Sequence, residues 1–303
     1  MSVKNQFSIK DLENLSNVKA HTIRMWEKRY DLLQPERTTT NIRTYDLVNL
    51  RKLLNVSYLY NEGYKISKIA KLSDTEILQI VQKKTASKKE DAAINSFKNA
   101  MFSFSSEQFN ATFTDLTQNY SFRHIFFEVF IPLLNDIGQL WQTKTIDSAH
   151  ESFISELIKR KITINIDDAQ AKFVEKTNTK VVLFLPYEEI HELGLRYTHY
   201  ELIKAGYQTV YLGANIPLDS LSLLLSPNED IIFLSYLTVQ PQNLSLESYI
   251  EQFQTSIAQQ QACQFWLMGQ KTKELNTTQL DDNIKIINTL DGLLLSLTDH
   301  AIS

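Results

Sequence analysis

Apolar positions change their spacing twice along the chain of 303 residues. Through about residue 75 they come in short helical stretches broken by polar turns. Ser8 and Asp11 read as a capping box opening a helix over Ile9 to Leu15, and Ser16-Asn17 as the turn that closes it. A second helix is predicted over His21 to Tyr30, with Ile23, Trp26 and Tyr30 on one stripe. Pro35 to Arg43 is polar, with three consecutive threonines, and reads as a small β-wing. Tyr45 to Asn61 is again helical, ends at Gly63, and is followed by a short helix over Ser67 to Leu72. From 76 to 175 the period stays helical but the stretches lengthen. Lys83 to Asp91 reads as a charged linker. Four helices are predicted beyond it, over Asp91–Phe102, Ser106–Asn119, Phe122–Trp141 and Ser148–Ile162. Phe126, Phe127, Phe130, Leu133, Leu134 and Ile137 recur at helical spacing, a stripe more often core than ligand surface, and short connections predict an antiparallel bundle. From 176 onward the pattern alternates. KVVLFLP, QTVYLG, DIIFLS, QFWLMG and KIIN read as buried strands. Helical patterns at Leu193–Ala205, Leu218–Leu225, Leu244–Gln260 and Leu290–Ala301 separate or follow them.

Three domains follow: residues 1–75, a winged helix-turn-helix; 88–170, a four-helix bundle; and 176–303, a flavodoxin-like, doubly wound parallel sheet. The class is multidomain α and α/β.

Composition narrows the function. One cysteine, Cys263, excludes a disulfide framework and a cysteine metal site and favours a reducing compartment. The opening MSVKNQFSIKDLEN has no apolar stretch of signal-peptide length, and no apolar run elsewhere reaches membrane-spanning length. A cytoplasmic protein is expected. The net charge of -4 hides an asymmetry: residues 1–75 carry thirteen Lys and Arg against eight Asp and Glu, and the remainder eighteen against twenty-seven. A basic module on an acidic body suits nucleic-acid binding at one end, although small modules also vary by several charges by chance.

In a helix-turn-helix the second helix enters the major groove. Here it reads HTIRMWEKRY. Arg24, Lys28 and Arg29 supply cations, Trp26 and Tyr30 supply packing or backbone contacts, and Arg37 and Arg43 of the wing can reach further phosphates. A solvated basic helix packed by two aromatics would look similar. The segment FSIKDLENLSNVKAHTIRMWEKRYDLLQPERTTTNIRTYDLVNLRKLLNVSYLYNEGYKISKIAKL as a whole resembles the MerR family. The resemblance implies contacts to double-stranded operator DNA by Arg24, Trp26, Arg29, Tyr30, Arg37, Arg43 and Tyr45. Lys19 stands where that family has a small capping hydroxyl residue.

Glu189-Ile190-His191-Glu192-Leu193-Gly194 follows the first strand of the third domain, at the carboxyl edge where such sheets bind ligands. A loop histidine is most often merely solvated. It can also serve as an axial metal ligand, with a carboxylate holding its other ring nitrogen, and Gly194 would allow close approach of a bulky group. Ser235-Tyr236-Leu237 ends the third strand, Gly269 ends the fourth, and YLGANIPLDSL (Tyr211 to Leu221) spans the end of the second. Together these resemble the cobalamin-binding domain of methionine synthases, mutases and CarH/LitR-like regulators, whose glycine pair is only Gly269-Gln270 here. The resemblance implies cofactor contacts from Glu189, His191, Gly194, Ser235, Leu237 and Gly269, with His191 on the metal. Trp141 and Glu151, with nine residues between them, resemble the upper-face signature of the bundle in these regulators. Ser152 and Gln142 replace two histidines of that pattern.

The resemblance implies a cobalamin-dependent, light-responsive repressor that binds adenosylcobalamin and works as a homo-oligomer, dimer or tetramer. In that family an adenosyl group under the tryptophan holds a DNA-binding tetramer that light dissociates. Two other readings compete. A regulator that has lost cobalamin and answers a protein partner or other small molecule is favoured by Ser152 and opposed by His191. An enzyme on the cobalamin fold is opposed by the DNA module and by the want of a substrate barrel.

Overall fold

A computed structural model describes residues 6–84, 89–227, 229–242, 244–275 and 280–302. The chain forms two compact units, residues 1–158 and 159–303.

The first unit opens with the winged domain. Helix α1 (Ile9–Ser16) carries the expected capping box: the Asp11 N–H donates to Ser8 Oγ at 3.1 Å, and the Ser8 N–H to Asp11 Oδ2 at 2.7 Å. It ends at Asn17, in the left-handed region at φ 56°. Helix α2 (Ala20–Tyr30) begins with no side-chain cap. Lys19 at that position reaches Glu13 instead, at 3.4 Å, so a contribution of about 1 kcal/mol typical of a hydroxyl cap is missing. The wing is a two-stranded antiparallel ribbon, β1 (Glu36–Arg37) and β2 (Arg43–Thr44), with Arg37 opposite Arg43. Helix α3 (Leu47–Asn61) starts two residues later than its pattern predicts, because Asp46 caps it by accepting from the Asn49 N–H at 2.8 Å. Tyr45 instead pairs backbone to backbone with Phe7. After α4 (Ile66–Ile69) comes α5 (Asp74–Lys84), which the pattern had not suggested. Ser73 and Glu76 form its capping box. The expected linker at 83–91 is therefore shorter: Lys83 and Lys84 belong to α5, Lys89 opens α6 (Lys89–Phe102), and positions 85–88 lie outside the described residues.

The bundle continues with α7 (Ser106–Thr117), capped by Ser105, α8 (Phe122–Ile125), α9 (Ile131–Gln142) and α10 (Ser148–Gln170). The predicted helix over Phe122–Trp141 is interrupted by a π-turn at Phe126–Phe130. Pro132 accounts for it: proline has no N–H to give the carbonyl four residues back, and its ring crowds that carbonyl, so the helix widens just before it. Most of the predicted stripe is core: Phe126, Phe130, Leu133 and Ile137 are buried, whereas Phe127 is exposed and Leu134 half-buried. Phe97, Phe109 and Phe130 are buried, with Phe97 4.6 Å from Phe109 and 5.6 Å from Phe130 between ring centroids. Helix α10 runs eight residues past its predicted end, and the division between the two units falls within it.

The second unit holds a five-stranded parallel sheet: β3 (Thr179–Phe184), β4 (Gln208–Gly213), β5 (Asp230–Tyr236), β6 (Gln264–Met268) and β7 (Ile284–Ile286), in the order β4-β3-β5-β6-β7. This is the doubly wound order, with its switch point between β3 and β5, where a ligand crevice opens at the carboxyl ends. Helices α11 (Leu193–Ala205), α12 (Leu246–Phe253) and α13 (Leu290–Ile302) accompany the sheet. Two helical predictions change form: Leu218–Leu224 is a 3-10 helix, and α12 passes into a π-turn at Gln254–Ala258. The sheet's core includes Phe184, Phe233, Phe253 and Phe265, the last two stacked at 4.0 Å.

Gly269 has a structural task at the end of β6. Its φ is 103°, and a Cβ there would lie 2.2 Å from the Leu237 carbonyl oxygen, while the Leu237 N–H donates to the Met268 carbonyl at 2.7 Å. Only glycine lets the two strand ends approach this closely. Gly269→Ala should cost at least about 2 kcal/mol in denaturant unfolding, through backbone strain and steric displacement. An unchanged midpoint would show that the close approach is not rigid.

His199 on α11 is largely buried. Its Nε2 lies 3.0 Å from Thr209 Oγ1, and its ring stacks on Tyr211 at 5.0 Å. Burial first, then the nearby Arg196 cation, push its pKa down from 6.5 to about 4. The folded state therefore binds fewer protons than the unfolded state between these values, so stability should be fully present above pH 6.5 and decline as pH falls towards 4. His199→Phe should flatten that part of the curve in urea titrations at a series of pH values. A variant with the wild-type slope would assign the effect to other groups.

Candidate functional site: a basic winged surface and a histidine loop

On the winged domain, α2 exposes Arg24, Met25, Lys28 and Arg29, while Ile23 and Trp26 face inward. Arg24 and Lys28 share a stripe one turn apart, beside that of Met25 and Arg29. Tyr30 is half-buried at the end of the helix. In the exposed wing, Arg37 donates from Nη1 to Asn41 Oδ1 at 2.7 Å, which holds the tip of the ribbon. Arg24, Arg29, Arg37 and Arg43 thus lie on a domain with excess positive charge, suited to polyanionic backbone.

Two residues grouped with the DNA contacts are placed otherwise. Trp26 is 1% exposed and packs edge-on against Tyr60, with centroids 4.9 Å apart. It lies on the inward stripe of α2 and cannot reach a groove. Tyr45 is fully buried, and its hydroxyl donates to Glu27 Oε2 at 2.8 Å. The other oxygen of Glu27 accepts from Arg43 Nε, also at 2.8 Å. Glu27 went unnoticed in the sequence because a glutamate among basic residues looks like ordinary surface charge. In the fold it ties the wing arginine to α2. The bond and the charge of Glu27 raise the Arg43 pKa, and burial followed by the tyrosine's own bond to Glu27 raises that of Tyr45.

In the second unit, the loop after β3 meets the loop after β5 at the switch point. Glu189 is completely buried. Its Oε1 accepts from the Ile190 and His191 N–H groups, both at 3.0 Å, and faces His191 Nδ1 at 2.6 Å. Its Oε2 accepts from the N–H groups of Thr238, Val239 and Gln240 at 3.2, 2.8 and 3.0 Å. Burial alone would raise the Glu189 pKa. The bonds from the His191 imidazole and from the backbone of Gln240, Val239 and His191 outweigh it, and the carboxyl is held well below its usual range. An ionised carboxylate can only accept, so Nδ1 of His191 carries a proton, and in the neutral form of the ring the lone pair lies on Nε2. The imidazole is half exposed, at 50%.

The flanking residues qualify the expectations. The Ser235 Oγ is fully buried and has no hydrogen-bond partner among the described residues, an uncompensated group at the end of β5 that a ligand nitrogen or oxygen would satisfy. Leu237 is buried, with its backbone locked to β6. Gly194 was expected to admit a bulky group, but the Tyr236 ring fills the space beside it, and a Cβ there would lie 2.8 Å from that ring. Glu192, which no motif had marked, opens α11 and is gripped by Arg196 at 2.8 Å, Lys159 at 2.9 Å and the Tyr211 hydroxyl at 3.2 Å. That grip fixes the loop on the carboxyl side of His191. In the first unit, Trp141 is 53% exposed at the end of α9, and Glu151 is half-buried in the first turn of α10. Gln142 and Ser152 are exposed.

Residues 7–76 match the family model of the MerR HTH family regulatory protein, and residues 93–164 match that of the B12 binding domain. The chain is a MerR-type regulator with a B12-binding domain. It is 26% identical over 230 residues to the HTH-type transcriptional repressor CarH of Myxococcus xanthus, covering 73% of this chain and 75% of that protein. The Methanosarcina barkeri monomethylamine corrinoid protein shares its fold with a TM-score of 0.52 at 11% identity, over 69% of this chain and 99% of that one. Among the described residues of this MerR-type regulator, no helix is long and apolar enough to cross a membrane.

The Glu27 clamp makes a prediction whose sign decides its role. If Glu27 acted only through its charge near DNA, removing it would tighten binding. Because it positions Arg43, Glu27→Ala should weaken operator binding roughly five- to tenfold, the loss of one charge-assisted bond. Fluorescence anisotropy at fixed salt measures this, and tighter binding would refute the positioning role.

Proposed function

We propose that this regulator is an adenosylcobalamin-dependent, light-responsive transcriptional repressor acting as a homo-oligomer on a palindrome-like operator. One observation carries the cofactor part: the buried, ionised Glu189 that holds the half-exposed His191 ring by Nδ1 at the switch point. A single imidazole is one ligand, so the metal it binds must bring its other donors along, as a corrin does. The orphaned Ser235 hydroxyl fits the same group, offering a hydrogen bond to its nucleotide tail, with Leu237, Gly269 and Gly194 shaping the sheet edge around it. Trp141, left half-exposed by its own unit, offers an indole face to an adenosyl group, and Glu151 offers an acceptor to its ribose. When bound, that cofactor supplies a photolabile cobalt–carbon bond. Arg24, Arg29, Tyr30, Arg37 and Arg43 are assigned to the operator. One winged domain reads a half-site, so a symmetric operator needs at least two copies.

The exposed Ser152 and Gln142, in place of two histidines, favour a second reading, in which the response to light is smaller or more reversible than in CarH-like proteins. The domain pairing and the similarity to a transcriptional repressor support a regulator over an enzyme.

Absorbance titration of the full chain with adenosylcobalamin in the dark tests the site. Wild type should give a bound spectrum with axial imidazole. His191→Ala should lose most affinity or that spectral form, and Glu189→Gln should weaken binding about ten- to a hundredfold. Light scattering should show a larger species in the dark that shrinks under green light. Identical spectra for wild type and His191→Ala would remove the site assignment. One mass in every sample would reject photoregulation.

A further inference from the structure

Within the first unit, the winged domain is fastened to the same end of the bundle that carries Trp141 and Glu151. Helix α9 closes just after Trp141: the Lys144 N–H donates to the Trp141 carbonyl and the Thr145 N–H to the Leu140 carbonyl, both at 2.9 Å. Thr145 is fully buried in that turn, and its Oγ1 lies 2.9 Å from Thr143 Oγ1. Asn14, on α1 of the winged domain, donates from Nδ2 to Thr145 Oγ1 at 3.1 Å. A second connection starts beside Glu151. The buried His150 ring packs on Phe102 at 5.7 Å, and Phe102 meets Phe7 edge-on at 6.0 Å. Phe7 exchanges two backbone hydrogen bonds with Tyr45, at 2.7 and 2.9 Å. The Tyr45 hydroxyl grips Glu27, which holds Arg43.

We infer that Asn14 and Phe7 form a coupling joint, through which the group packed on Trp141 and Glu151 sets the position of α1 and, by way of Tyr45 and Glu27, the aim of the wing arginine at DNA. This rests on the proposed cobalamin-sensing function and adds its means of transmission. Trp141 shares a hydrogen-bonded turn with Thr145, so displacement of the indole strains the Asn14 contact directly. Close-packed aromatic contacts such as Phe102–Phe7 shift between discrete arrangements rather than deform smoothly. A ligand can bias such an element only by favouring one arrangement, and the exposed face of Trp141 is where it would do so.

The test uses the full chain, with and without adenosylcobalamin in the dark, and reads operator affinity by anisotropy and cofactor binding by absorbance. Wild type should bind operator about tenfold or more tightly with cofactor than without, within the usual range of allosteric coupling. Asn14→Ala, Thr145→Val and the conservative Phe7→Leu should bring that ratio close to one, while the cofactor spectrum and binding midpoint stay unchanged. Asn14→Ser should recover part of it. Ser8→Ala, which weakens α1 by removing its cap but leaves the joint intact, should keep the wild-type ratio. This separates coupling from mere destabilisation. If the joint variants retain the ratio, or Ser8→Ala loses it equally, the inference is overturned. If wild type binds cobalamin but shows no change in operator affinity, the joint fails while the site stands. If wild type binds no cobalamin, both fall.

Discussion

The carboxylate of Glu189 is the constraint on which the second unit's chemistry depends. A buried anion without partners is expensive, and this one is tolerated because five backbone N–H groups and one imidazole surround it. The arrangement needs two loops at once. Residues 190 and 191 come from the β3 loop and 238 to 240 from the β5 loop, and the parallel strand order makes them neighbours. The anion therefore staples the switch point, and that staple sets the tautomer of His191. Glu192, bound by Arg196, Lys159 and Tyr211, anchors the other side of the same loop.

A comparable logic governs the winged domain with the opposite charge balance. Glu27 is an anion among cations, and its two oxygens are divided between Arg43 and Tyr45. It spends negative charge near a polyanion-binding surface to gain geometry. Both units thus use a carboxylate to orient a basic side chain, with hydrogen bonds supplying direction.

The aromatic bundle lies between these two devices in sequence. Phe97, Phe109, Phe113 and Phe130 fill its interior, and the π-turn ahead of Pro132 marks where helical regularity yields to a proline. Trp141 is the most exposed of the bundle's described aromatics, half-exposed while its turn is pinned by Thr145. An exposed indole on a fixed support is suited to contact with a bound group rather than to core packing.

The sequence by itself determined the classes of element and their order. Helical and strand periodicities, the Ser8–Asp11 box and the alternation after residue 176 each rest on local geometry, which a chain carries wherever it folds. It also marked His191, Glu189 and Ser235, because their motif joins residue types at a fixed spacing. Only the tertiary structure decided which marked residues face outward. Trp26 and Tyr45 look like contact residues in the string WEKRY and R-x-Y, yet packing turns both inward; Gly269 serves a close strand approach, and Tyr236 takes the space beside Gly194. Glu27, Asn14 and Thr145 carry no local signature, since their roles come from partners 16, 131 and 131 residues away in sequence. Periodicity reports a residue's neighbours along its own element, whereas a hydrogen-bond partner across the fold is fixed only when the elements pack.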